Sequence, residues 1–171
     1  MKDRVREALF DLIGIDVKGT LALDLFAGTG ALGFEALSRG AARAVFAERH
    51  FPTADTLRRS AAGLEVTDRC DIRAGDVLLW PKRMPDLPSD VPWLTFVSPP
   101  WAFFAPDHPR RADLLELIAA IHRAAPAGSL MVVEADDSFD PADLPAGDWE
   151  TRPIPPAVLH LSRARPVRSP A

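Results

Sequence analysis

The chain has no tyrosine and one cysteine, Cys70, among its 171 residues. A single cysteine excludes an internal disulfide and a cysteine zinc site, and fits a reducing compartment. The missing tyrosine stands beside four Trp and nine Phe, and no physical rule accounts for the gap. No apolar run reaches the roughly 20 residues that cross a bilayer. The opening residues Met1 to Glu7 mix charges of both signs and lack a signal-peptide core. A cytoplasmic protein without membrane attachment is the expectation. Net positive charge is also lacking. The balance is -4, which argues against wrapping naked nucleic acid but leaves room for docking through a local basic patch. His50 and His108 have no partners at ligand-like spacing, so no metal is expected. His122 and His160 read as structural.

The length suits one domain over residues 1–162, followed by a flexible Arg/Pro/Ser-rich tail over 163–171. Asp3 to Ile13 reads as a helix, with Val5, Leu9, Leu12 and Ile13 on its buried face. Leu21 to Leu25 is apolar enough for a central strand of a parallel sheet. Helices are expected from Gly30 to Arg39, from Phe51 to Ala62 and from Arg110 to Ala125. Further strands are expected at Ala44–Ala47, Cys70–Ala74, Trp93–Val97 and Leu130–Glu134. Val77 to Trp80 reads as a short helical turn, and Ala102 to Pro109 as loop. Trp149–Ile154 and Ala157–Ser162 read as an antiparallel hairpin at the sheet edge. The fold class is therefore α/β, Rossmann-like, with a mostly parallel sheet of seven strands covered on both faces.

In such sheets ligands sit outside the carboxyl ends of the strands. Four strand ends there carry candidate residues. The first is the turn Asp24-Leu25-Phe26-Ala27-Gly28-Thr29-Gly30, whose glycines allow a sharp bend and close approach of a ligand. No Lys-Ser or Lys-Thr follows, so a P-loop is excluded. Asp24 would repel a pyrophosphate and suits a ligand with an amino group and no phosphate, as S-adenosyl-L-methionine is. A purely structural role for Asp24 and its glycines is the competing reading. Glu48 ends the second strand, where a carboxylate can accept from both ribose hydroxyls. That role would serve NAD equally. Asp76, preceded by Gly75, is placed to accept from an adenine amine, with Val77 against the ring.

Ser98-Pro99-Pro100-Trp101 ends the fourth strand. Two prolines fix the backbone and remove its donors, leaving carbonyls directed outward. A carbonyl and the Ser98 hydroxyl can accept from an exocyclic amine, and Trp101 offers a flat face for a base. Such a clamp orients a planar amine against a methyl donor. Phe103 and Phe104 either line this pocket or pack in the core.

With these residues in view, the chain resembles the Class I S-adenosylmethionine-dependent methyltransferases. More narrowly, it is similar to the bacterial family that methylates the N2 amine of a guanine in small-subunit ribosomal RNA. The resemblance runs from about Asp3 to Glu134, more weakly to Ser162. It rests on Asp3-Arg4-Val5-Arg6-Glu7-Ala8-Leu9-Phe10 and on Leu23 to Gly40, then on Glu48, Gly75-Asp76 and the Pro-Pro-aromatic loop in that order. It implies cofactor contact at Asp24, Phe26, Ala27, Gly28, Thr29, Gly30, Glu48, Arg49, Asp76 and Val77. It implies an acceptor clamp at Ser98, Pro99, Pro100 and Trp101. It also implies small-subunit rRNA or a ribosomal particle as partner, with Arg4 and Arg6 approaching RNA phosphate.

Two departures stand out. The family has Asp or Asn, then Pro-Pro-Tyr or Pro-Pro-Phe, where this chain has Ser98 and Trp101. The enzymes that methylate N2 of cap guanosine also resemble Ser-Pro-Pro-Trp here, so a guanine amine stays the expected acceptor. The family also carries a basic hairpin before the first helix, whereas this sequence begins almost at that helix. It has either lost that element or been cut short, and Lys82-Arg83, Arg110-Arg111 and the tail arginines are the remaining basic clusters. Three other readings remain. The protein could methylate another planar amine or a protein, it could be a noncatalytic module on the same fold, or it could be an NAD enzyme. The last lacks a third glycine in a regular fingerprint.

Overall fold

A computed structural model describes residues 3–164. Among these residues, seven strands form one sheet in the order β3-β2-β1-β4-β5-β7-β6. In chain order they are β1 (Leu21–Asp24), β2 (Arg43–Glu48), β3 (Cys70–Ala74), β4 (Trp93–Val97), β5 (Leu130–Ala135), β6 (Trp149–Ile154) and β7 (Ala157–Arg163). The first five pair in parallel, and β7 runs antiparallel between β5 and β6. The expected hairpin is present, but of its two strands only β6 lies at the edge of the sheet, because β7 pairs on both sides. β7 extends through Arg163, which forms an ion pair with Asp16 at 2.6 Å. The tail expected beyond it falls, from residue 165 on, outside the described residues.

Among the described residues, four helices cover the sheet: α1 (Asp3–Ile13), α2 (Ala31–Ser38), α3 (Phe51–Gly63) and α4 (Arg111–Ala124). β1, β4 and β5 are buried at every position, as apolar strands covered on both faces must be. Alternate strand residues divide between two cores. Ala22, Phe46, Phe96 and Val132 pack with α1 and α2 on one face. Leu21, Leu23, Val45, Val97 and Val133 pack with α4 on the other.

The periodic reading of α1 needs one correction. Leu12 is 44% exposed, and Phe10 is buried in its place. Both residues flank the Val5-Leu9-Ile13 stripe. The larger ring of Phe10 reaches Phe96 of β4, with centroids 5.6 Å apart, and lies under the Arg39 guanidinium. The segment expected as plain loop after Pro100 also contains a short 3-10 turn, Trp101–Phe104.

Strands β2 and β3 lie on one side of β1, and β4 and β5 on the other. The chain therefore reverses its winding direction between β1 and β4, and a crevice opens there at the carboxyl ends. Among the described residues, no helix is long and apolar enough to cross a membrane.

Candidate active site

The turn after β1 is closed by its own backbone. Ala27 N–H donates to the Ala47 carbonyl at 3.0 Å, and Gly30 N–H to Ala27 at 2.7 Å. Gly30 has φ +83°, and a Cβ there would lie 2.5 Å from Leu57 Cδ2. A Cβ on Gly33 would lie 2.2 Å from Phe46 Cε1, so α2 rests directly on that buried ring. Asp24 is 2% exposed and turned inward, and its Oδ2 accepts from Gly33 N–H at 3.0 Å. Burial raises its pKa to about 7, against the pull of the Gly33 hydrogen bond. The carboxylate thus satisfies one of the free amides in the first turn of α2.

Glu48 ties two loops together. Its Oε2 accepts from Gly28 N–H at 2.9 Å and its Oε1 from His50 N–H at 2.7 Å. Each oxygen keeps a further acceptor site. Asp76 caps the turn that follows β3, accepting from Leu78 N–H at 3.1 Å through Oδ1. Its Oδ2 accepts from Arg110 Nη2 at 2.7 Å, and Arg110 Nε donates to Asp113 at 3.0 Å. These two carboxylates raise the Arg110 pKa above its ordinary value. Arg111 in turn pairs with Asp143 and donates to the Phe104 carbonyl. Arg110 and Arg111, expected as a basic cluster, are therefore committed to internal partners. Lys82 and Arg83 are exposed.

At the end of β4 the Ser98 hydroxyl donates a short hydrogen bond to Glu134 Oε2, at the end of β5. The parallel register pairs Val97 with Val133, so the next residues of the two strands emerge side by side. Of the proline carbonyls expected to face outward, that of Pro100 accepts from Phe103 N–H at 2.9 Å and closes the 3-10 turn. Phe103 stacks on His108 with centroids 4.6 Å apart, while Phe104 is buried against Phe139.

These strand ends enclose a cleft of about 600 Å³. Phe26, Gly28, Glu48, Arg49, Asp76 and Val77 lie on one part of its wall, and Ser98, Pro99, Pro100, Trp101 and Phe103 on another. Asp24, Ala27, Thr29 and Gly30 do not reach the wall; they shape the turn from behind. Phe104 is core. Among the wall residues that escaped the sequence reading are Val5 at the start of α1, Pro156 and Ala157 at the β6–β7 turn, and Glu134. Only Glu134 carried a signal, an acidic residue closing an apolar strand as Asp24 and Glu48 do. No group of three or more His, Cys, Asp or Glu suited to a metal occurs among the described residues.

The family model described as Conserved hypothetical protein 95 matches residues 1–147. Ribosomal RNA small subunit methyltransferase D of Haemophilus influenzae is 36% identical over 108 residues, covering 59% of this chain and 52% of that protein. The chain spans about half the length of the curated relatives it matches. A solved structure described as "Putative methyltransferase yhhF from Escherichia coli" superposes with a TM-score of 0.78 at 26% identity, over 96% of this chain and 87% of that one. An RNA methyltransferase from Salinibacter ruber, solved with S-adenosyl-L-homocysteine, shares the fold with a TM-score of 0.68 at 19% identity, over 99% and 95% of the two chains.

Proposed function

The chain belongs to the family described as Conserved hypothetical protein 95, and from that premise we propose that it is an S-adenosyl-L-methionine-dependent N-methyltransferase. Its acceptor is the exocyclic N2 amine of a guanine in small-subunit ribosomal RNA. One observation carries this reading: Glu48, Asp76 and the segment Ser98 to Trp101, each from a different strand end, line one cleft.

The wall suits this cofactor by its chemistry. Glu48, Asp76 and Glu134 are acidic, and Arg49 is the one cation on the cleft wall among the described residues. Such a surface favours a cationic ligand over a phosphate-bearing one. The cleft volume is also that of a small-molecule site. When bound, S-adenosyl-L-methionine supplies an electrophilic methyl group on a sulfonium.

The chain's own residues do the rest. Glu48 offers its remaining acceptor sites to ribose hydroxyls while holding the Gly28 backbone in place. Val77 and Leu78 give the adenine ring an apolar flank, and Asp76 accepts from its amine. Asp24, Ala27, Thr29 and Gly30 set the curvature of the turn on which Phe26 and Gly28 meet the cofactor. Trp101 stacks on the guanine, and Pro99 and Pro100 hold that ring in one plane. Positioning of this kind carries much of the rate in transfers between bound partners.

The RNA approaches over α1. Val5 is on the cleft wall. Its neighbour Arg4 is exposed, while Arg6 pairs with Asp3 at 2.9 Å and is partly buried. Arg4 meets phosphate directly, and Arg6 does so by exchanging Asp3 for it. A ribosomal acceptor places the protein in the cytoplasm.

The test is labelled methyl transfer into small-subunit RNA and particles from cells lacking this protein, with the modified nucleotide identified. Appearance of N2-methylguanine supports the reading. Binding of S-adenosyl-L-homocysteine with no transfer to any RNA overturns it.

A further inference from the structure

Among the described residues, Glu134 is the one buried carboxylate on the cleft wall. It is 3% exposed, and its hydrogen-bond partner is Ser98. Among the described residues it has no cationic partner. A carboxylate removed from water without a counter-charge costs several kcal/mol of desolvation. Such an arrangement on the wall of a cleft is a mark of function more than of stability. Asp24 shows the contrast: it is equally buried, but it turns away from the cleft and spends its bond on the Gly33 amide.

The direction of the Ser98–Glu134 bond matters. Because the Ser98 hydroxyl donates to Glu134, both lone pairs of Ser98 Oγ remain available to accept. The serine thus faces the cleft purely as an acceptor, polarised from behind by a full negative charge. A neutral serine alone would be a weaker partner for an amine than a carboxylate.

We propose that Ser98 and Glu134 act as one unit on the acceptor: Ser98 Oγ holds the amine through its N–H, and Glu134 orients Ser98 and receives the proton. This rests on the methyltransferase reading given above. The amine nitrogen forms its bond to the methyl carbon as the carbon–sulfur bond of the donor breaks, and the electron pair of that bond stays on sulfur. The nitrogen, now positively charged, passes one proton to Ser98 Oγ as the Ser98 proton moves to Glu134 Oε2. The methylated amine is left neutral and Glu134 protonated, to be released to solvent after the product leaves. Glu134 is a positioning residue that acts through Ser98, and Ser98 is the group that touches the acceptor.

The pair predicts a pattern that a merely structural glutamate would not give. Ser98→Asp sets two carboxylates against each other, which cannot both stay ionised at that distance. Glu134→Gln removes the charge behind Ser98. The double variant Ser98→Asp/Glu134→Gln restores one carboxylate, braced by an amide that donates to it. Methyl transfer to small-subunit particles is measured for all three and for Ser98→Ala. Binding of S-adenosyl-L-homocysteine by calorimetry and thermal melts are recorded alongside.

Each single variant is expected to lower kcat about tenfold or more, since proton transfer of this kind contributes about 100-fold or above. Affinity for S-adenosyl-L-homocysteine stays as in the wild type. The double variant recovers activity above either of its parents. If Glu134→Gln keeps the wild-type kcat, or if the double loses as much as the product of its parents, the pairing is wrong while the methyltransferase reading stands. A wild-type protein that binds S-adenosyl-L-homocysteine and methylates no RNA overturns both. Ser98 itself is only half-buried, so the melt of Ser98→Ala shows what the lost bond costs Glu134, and its kcat reports on the pair even if a Glu134 variant fails to fold.

Discussion

Glu48 Oε2 accepts a 2.9 Å hydrogen bond from the Gly28 amide, joining the end of β2 to the turn that follows β1. The carboxylate proposed to read the ribose is thus also the strut that fixes the glycine turn. Glu48→Gln keeps one acceptor oxygen but places an amide N–H₂ among groups that need an acceptor. Loss of a hydrogen bond to a charged group is worth about 1.5–3 kcal/mol. Affinity for S-adenosyl-L-homocysteine by calorimetry should fall about tenfold to hundredfold, with a small drop in melting temperature. Unchanged affinity would remove Glu48 from the cofactor site.

Trp101 lines the cleft and packs partly against the core. Stacking of a base on an aromatic ring is worth about 1–3 kcal/mol. Trp101→Ala should raise KM for the RNA acceptor by about fivefold to hundredfold while S-adenosyl-L-homocysteine binds as before. Trp101→Phe should retain most of the stacking. Equal losses for Phe and Ala would argue that the tryptophan serves only packing.

Gly33 has no room for a methyl group, because its Cβ would stand 2.2 Å from the ring of the fully buried Phe46. Overpacking of this kind costs about 1–3 kcal/mol. Gly33→Ala should shift the urea midpoint accordingly. It should also weaken cofactor binding, since α2 carries the end of the glycine turn. A variant as stable as the wild type would show that α2 can lift off β2.

Asp24 makes stability depend on pH in a direction opposite to most carboxylates. Burial raises its pKa in the fold from the ordinary 3.8 to about 7. Between those values the folded state binds a proton that the unfolded chain releases. Its contribution is therefore complete below pH 4 and is lost as pH rises through about 7. Asp24→Asn stays neutral and can still accept from Gly33 N–H. Urea unfolding from pH 4.5 to 8.5 should show the variant gaining on the wild type with rising pH and levelling off above 7. A difference that stays flat across that range would mean that Asp24 does not titrate there.

The strands, the glycine turn, Glu48, Asp76 and the Ser98–Trp101 segment could be read from the sequence because each is a local pattern. An apolar run must be buried, a proline pair must leave the sheet, and an acidic residue that closes a strand lies at the carboxyl end of the sheet. Side-chain partners were less legible. Arg110 and Arg111 look like a basic patch in one dimension. Their bonds to Asp76 and Asp143 cross 34 and 32 residues. Phe103 and Phe104 are equivalent in sequence, and only the 3-10 turn sends one to the cleft and the other to the core.

The sequence by itself determined a mostly parallel α/β sheet with a glycine turn, acidic strand ends and a proline pair gathered at its carboxyl rim, because periodicity and turn chemistry act over a few residues. The tertiary structure decided what each group in that site faces. It turned Asp24 inward onto Gly33, set Arg110 on Asp76, and brought Pro156 and Ala157 to the cleft from the far hairpin. Above all it placed β5 beside β4 in the register that sets Glu134 against Ser98. Strand order and register depend on which surfaces bury one another across the whole chain, and no local stretch encodes that.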